Sequence, residues 1–154
     1  MESAHCLCDV TSAKQLAECL VWSSENFFIA NGEEDMNSLL NVSGGDFFTW
    51  HDMWPRLADF YEVIPSFSQD GFCLGEFFLN HRDAWSTLAT KHNLKESNLL
   101  DLIDISFVDK ALYVSWSCIY SSEKAKSLGF TYYPGALEAL KDVFQDLKEQ
   151  RIIP

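Results

Sequence analysis

What most constrains this chain is that its apolar residues recur at helical spacing, while only one short run, residues 39–42 in SLLNVS, reads as a strand. A lone strand has no ladder to join. The expected class is therefore mostly α, an α+β chain with one or two short strands. Residues 39–42 then need a pairing partner from elsewhere in the chain or from another chain. Residues 1–154 read as a single domain, with residues 1–9 as a frayed start.

The stripes place the helices. VTSAKQLAECLVWSSE opens the first, with Ser12 and Gln15 forming an S-x-x-Q capping box and Leu16, Cys19, Leu20 and Ser23 on one face. TWHDMWPRLADFYEV carries a stripe of Trp50, Met53, Trp54, Leu57, Phe60 and Tyr61. Pro55 lacks an amide donor and is tolerable there only within a first turn. LGEFFLNHRDAWSTLATKHNL reads as two helical pieces, with Asn80 capping the second. KESNLLDLIDISFVDKALYVSWSC (95–118) is a long apolar segment whose β-branched and aromatic end also suits a strand. Ser121 or Ser122 caps a short helix that Gly129 ends. Pro134 opens the last helix, with Leu137, Leu140, Phe144 and Leu147 inward and Glu138, Asp142, Asp146 and Glu149 wet. ANGEEDMN (30–37) and IPSFSQDGFC (64–73) are loops.

Charge and composition exclude several classes. A net charge of −12 leaves no basic face for nucleic acid or for an anionic membrane surface. No run of 18 apolar residues is present. The opening MESAHC reads as a native beginning, without the basic and apolar regions of a secretion signal. Cysteines 6, 8, 19, 73 and 118 are odd in number and irregularly spaced, which suits reduced thiols in the cytoplasm. Aromatic residues make up 14% of the chain, enough to line an apolar ligand pocket as well as a core.

Motifs that promise chemistry dissolve on inspection. Tyr120-x-x-x-Lys124 has the spacing of a reductase's proton donor and lysine, yet it sits on a surface turn entering a capped helix. No G-x-G-x-x-G occurs, so no turn is built to meet a pyrophosphate. HRDAW (81–85) begins like a kinase catalytic loop, but Leu88 stands where the asparagine belongs. HCLC (5–8) lacks the second ligand pair of a structural zinc site. No metal and no cofactor are expected.

Four segments in order carry a resemblance. Asn41, Val42, Gly45, Asp46, Phe48, Trp50 and Trp54 match one family segment. Phe107-Val108-Asp109 match a second, Ser121, Lys124, Gly129 and Phe130 a third, and Ile152, Ile153 and Pro154 the terminus. The chain resembles, over nearly its whole length, the C-terminal substrate-binding half of the progesterone-5β-reductase and iridoid-synthase-like reductases, a branch of the extended short-chain dehydrogenases. The resemblance implies a compact helical lobe whose nucleotide-binding half, catalytic tyrosine and catalytic lysine are absent. It also implies that Phe107 lines an apolar substrate site. A helix over 98–114 would set Ile103, Asp104, Ala111 and Val114 on or beside its face. Trp50 and Trp54 are further candidate substrate-binding residues.

A pocket without a hydride donor suits a cofactor-independent, non-redox enzyme. It would fold an apolar terpenoid- or polyketide-like intermediate for cyclisation or isomerisation, [4+2] closure above all, with Asp104 polarising a carbonyl. The alternatives are a non-catalytic small-molecule-binding module or a subunit that pairs with a full-length reductase. The face that packs on a nucleotide-binding half would be left apolar and exposed, and a homodimer using residues 39–42 would bury it.

Overall fold

The stripe on TWHDMWPRLADFYEV becomes a helix in the computed structural model of the chain, which describes residues 2–30, 39–66, 72–112 and 114–154. Seven α-helices lie among the described residues, and no sheet. They are α1 (Ala13–Ala30), α2 (Trp50–Phe60), α3 (Leu74–Asn80), α4 (Arg82–His92), α5 (Ile105–Leu112), α6 (Glu123–Ser127) and α7 (Ala136–Glu149). The chain is mostly α, as expected.

Among the described residues, two small cores hold α1, α2, α6 and α7. In the first, Phe48, Met53, Leu57 and Ala136 are buried, and Val10, Leu140 and Phe144 pack against them. It joins α2 to α7, and aromatic contacts extend it: Tyr61 lies 5.6 Å from Phe144, ring to ring. Pro55 sits in the interior of α2, past the first turn where it was expected. It leaves one carbonyl without an amide partner, at a cost of about 3 kcal/mol. Burial of Met53 and Leu57, at about 1.5–3 kcal/mol each, offsets that. Thr49 starts the helix by exchanging bonds with Asp52. Its Oγ1 accepts from the Asp52 amide at 3.2 Å and donates to Oδ2 at 2.7 Å.

The second core is Cys19, Ala125 and Phe130, with Trp22, Val42, Tyr132 and Tyr133 packed on it. Here α1 departs from expectation. Ser12 Oγ does accept from the Gln15 amide at 3.1 Å, but the Gln15 side chain does not return to the cap. It is fully buried, and its Nε2 donates to Ser43 O at 2.7 Å and to Tyr132 O at 3.2 Å. The inward face of α1 therefore runs through Gln15, Cys19 and Trp22. Leu16 and Leu20, expected inside, are exposed, Leu20 at 61%.

The expected strand is absent. Residues 39–42 have no ladder, because side chains take their backbone groups. Lys124 Nζ donates to Leu39 O at 3.0 Å and Thr11 Oγ1 to Val42 O at 2.6 Å. The extended pairing among the described residues is two isolated bridges centred on Cys8, antiparallel to Phe48 and parallel to Cys118. Leu7 and Cys8, within the stretch expected to fray, are thus held in place. Cys8 and Phe48 exchange amide bonds at 2.8 and 3.0 Å, and the Cys118 amide donates to Leu7 O at 2.9 Å.

Cap positions also shift. Pro134 stands before α7, and Gly135 is the cap residue, with φ +81° and no side chain to offer. Asp46 supplies the missing acceptor across 90 residues: its Oδ1 takes the Ala136 amide at 2.7 Å. His81, and not Asn80, occupies the cap of α4. Ser122 is the cap residue of α6, yet its hydroxyl faces Ser43, meeting the Ser43 amide at 3.0 Å and hydroxyl at 2.8 Å. Gly129, at φ +102°, ends α6 as expected. The stretch 31–37 and residues 67–71 of the second loop lie outside the described residues.

Candidate functional site

Helix α5 carries the residues to which the resemblance points, and its two sides differ. Residues 98–114 are not one helix. A 3-10 turn over Leu99–Asp101 comes first, and α5 begins only at Ile105. The break follows from Asp104, whose Oδ1 accepts the Phe107 amide at 3.1 Å. Its main-chain carbonyl takes the Val108 amide at 3.1 Å. Asp104 is the cap of α5, a role that short carboxylates fill well.

On the inner side, Ile105, Val108 and Asp109 turn toward α3 and are half-buried. Asp109 caps α3 from a distance. Its Oδ1 accepts the Leu74 amide at 2.9 Å and its Oδ2 the Gly75 amide at 3.1 Å. Cys73, the local cap residue of α3, makes no side-chain cap bond. The Phe-Val-Asp segment thus ties two helices together through its aspartate.

On the outer side, Phe107 is 70% exposed and Ala111, one turn on, is exposed too. The two share a face at i, i+4 spacing. Asp104 is exposed at the head of the same helix, and Ile103 is half-buried just before it. Val114 lies beyond the end of α5 and is half-buried. The rings of Trp50 and Trp54 lie 5.1 Å apart, tilted by 31°, on α2, which packs on α7, whereas α5 packs on α3. The structure groups Asp104, Phe107 and Ala111 on one helix and places the two tryptophans in a different packing unit.

A cavity of about 210 Å³ opens on the inner side of α5. Half-buried Phe78, Trp85, Leu99 and Ile105 form its floor, and exposed His81, Arg82 and Asp83 stand among its polar lining. None of Ile103, Asp104, Phe107, Ala111, Val114, Trp50 or Trp54 lines it. The sequence signal for this cavity was HRDAW itself, which supplies four of its walls. Among the described residues, no group of three or more His, Cys, Asp or Glu is arranged to hold a metal ion. No helix among them is long and apolar enough to cross a membrane.

Comparison with known proteins places this lobe. The chain is 25% identical over 155 residues to an (S)-8-oxocitronellyl enol synthase of Catharanthus roseus, covering 99% of this chain and 38% of that one. It is 26% identical over 156 residues to (S)-8-oxocitronellyl enol synthase CYC1 of Camptotheca acuminata, with the same two coverages. It is 26% identical over 160 residues to the short chain dehydrogenase gsfE of Penicillium aethiopicum, covering 95% and 41%. The chain is similar to iridoid-synthase-like short-chain dehydrogenases. It spans about two fifths of the length of these relatives. No protein-family model matches it.

Against that similarity, several matched positions acquire structural roles. Asp46 and Asp109 cap helices at long range, and Phe130 is buried in the second core. Phe107 is different: it is large, apolar, exposed and without an evident packing task.

Proposed function

We propose that the chain is a cofactor-independent, non-redox enzyme of secondary metabolism. It binds an apolar terpenoid- or polyketide-like intermediate against the outer face of α5 and promotes its cyclisation or isomerisation, with [4+2] closure as the favoured reaction. The observation that carries this reading is the exposed strip of Phe107 and Ala111, at the position where the chain resembles a family's substrate-binding half. The names of its relatives, enol synthases and a short chain dehydrogenase, support an enzyme of small-molecule metabolism. Holding a flexible substrate near its reactive geometry is worth up to about 7–11 kcal/mol in the best intramolecular cases. Asp104 stands beside the strip, so that a substrate carbonyl lying along α5 meets the first turn of the helix.

The same strip is open to solvent, and a binding pocket needs walls that enclose most of its ligand. We propose that a second copy closes it. Phe107, a large apolar side chain that is 70% exposed, is the kind of surface that a second copy would cover. Sedimentation is expected to give twice the monomer mass, and Phe107→Asp is expected to shift the equilibrium to monomer. A wild-type chain that stays monomeric at all concentrations refutes the closure.

Product analysis after deletion of the gene in its producing host tests the reaction. The expected result is accumulation of an uncyclised or unisomerised precursor. Phe107→Ala should lower product formation about tenfold while leaving thermal stability unchanged, because exposed positions rarely move stability by more than about 0.5 kcal/mol. An unchanged product profile supports the second reading, a non-catalytic binding module or a subunit of a full-length reductase. The observation favouring that reading is that Asp104 already serves as the cap of α5.

A further inference from the structure

The cavity on the inner side of α5 is separate from the strip of Phe107 and Ala111, because residues 105 and 107 lie about 200° apart around a helix. We propose that it is a binding site for a small monoanionic amphiphile, a medium-length carboxylate with an apolar tail. Four of the five residues of HRDAW line it: His81, Arg82, Asp83 and Trp85. They meet there because α3 ends at Asn80 and α4 starts at Arg82, which folds the motif over the hollow beside Ile105.

The polar groups favour an anionic oxygen. Arg82 is the one Lys or Arg in the lining, and it forms no ion pair among the described residues, in a chain with 23 acidic and 11 basic side chains. Asp83 follows it directly, but neighbours on a helix do not face each other, and no bond joins them. A guanidinium offers two parallel N–H bonds to one carboxylate. His81 is fixed in place but offers no donor to the ligand: its Nδ1 donates to Phe77 O at 2.7 Å and its ring stacks on Phe77 at 4.3 Å. Trp85 lines the cavity with its half-buried indole. Helix α4 starts with no side-chain cap bond, leaving its positive end toward the same opening.

The remaining features set the ligand's size and charge. The floor of Phe78, Leu99 and Ile105 is apolar. A volume of about 210 Å³ holds roughly ten non-hydrogen atoms at interior packing density. Asp83 at the rim repels a second negative charge, which separates a carboxylate from a phosphate dianion.

Isothermal titration of the full chain with octanoate, octanol and octyl phosphate tests this. Octanoate is expected to bind about tenfold more tightly than either of the others. Arg82→Leu, at an exposed position, should erase the preference over octanol, and Arg82→Lys should retain part of it. Equal binding of octanoate and octanol, no binding of octanoate, or a preference that survives in Arg82→Leu overturns the proposal. Turnover is not read in this experiment, so its outcome is independent of the proposed reaction.

Discussion

Replacing Gln15 with alanine is expected to lower the unfolding free energy by on the order of 3–5 kcal/mol, read from urea denaturation. The side chain is fully buried and ties α1 to two separate loops, at Ser43 O and Tyr132 O. Alanine leaves both carbonyls facing a void. A buried acceptor stripped of its partner costs about 1–3 kcal/mol, and the cavity adds to that. A loss below about 1 kcal/mol would mean that water enters and replaces the amide. Gln15→Glu supplies a sharper test with a known sign. An ionised carboxylate would face two carbonyl oxygens, so the folded state favours the protonated acid and raises its pKa above the unfolded value of about 4.3. Stability in that variant should be fullest below pH 4 and fall as pH rises through the folded-state pKa. A flat difference from wild type between pH 4 and pH 7 would show that the group is not buried against the carbonyls.

Gln15 also marks the limit of what periodicity reveals. The stripes on α2 and α7 were legible because their inward residues are apolar: Met53 and Leu57 are buried, and Leu140 and Phe144 pack on them. The inward face of α1 differs from the expected stripe by about one position because its first inward residue, Gln15, is polar. A hydrophobic pattern cannot report an amide that replaces a strand's ladder. The same blindness explains residues 39–42, whose β-like composition says nothing about Lys124 or Thr11 taking their carbonyls. Long-range caps are hidden for a related reason. Asp46 and Asp109 act 90 and 34–35 residues away from the amides they hold, so no local capping pattern shows them. The resemblance found the helix on which a substrate site is proposed, but not the side of that helix on which a cavity opens. HRDAW fails as a kinase signature, and its side chains meet at a cavity only because the fold brings α3, α4 and Ile105 together.

The turn at Gly44 and Gly45 connects these observations, and Gly45→Ala is expected to destabilise the chain by about 2–5 kcal/mol. Two independent effects contribute. Gly45 has φ +93°, where an L side chain costs about 1–2 kcal/mol. A Cβ there would also lie 3.0 Å from both Cβ and Cδ1 of Tyr133, a contact that overpacks at about 1–3 kcal/mol. Gly129 provides the internal control. Its φ is +102°, and nothing stands within 4 Å of an added Cβ. Gly129→Ala should therefore show the backbone cost alone, and the difference between the two variants should equal the Tyr133 contact. The cost at Gly45 should also spread. Asp46 follows directly and holds the Ala136 amide, so a displaced turn weakens the start of α7. Amide exchange at Ala136 should accelerate in Gly45→Ala and not in Gly129→Ala. Equal losses in the two variants, with no change at Ala136, would show that the turn yields freely and that the match at Gly45 reflects backbone conformation alone.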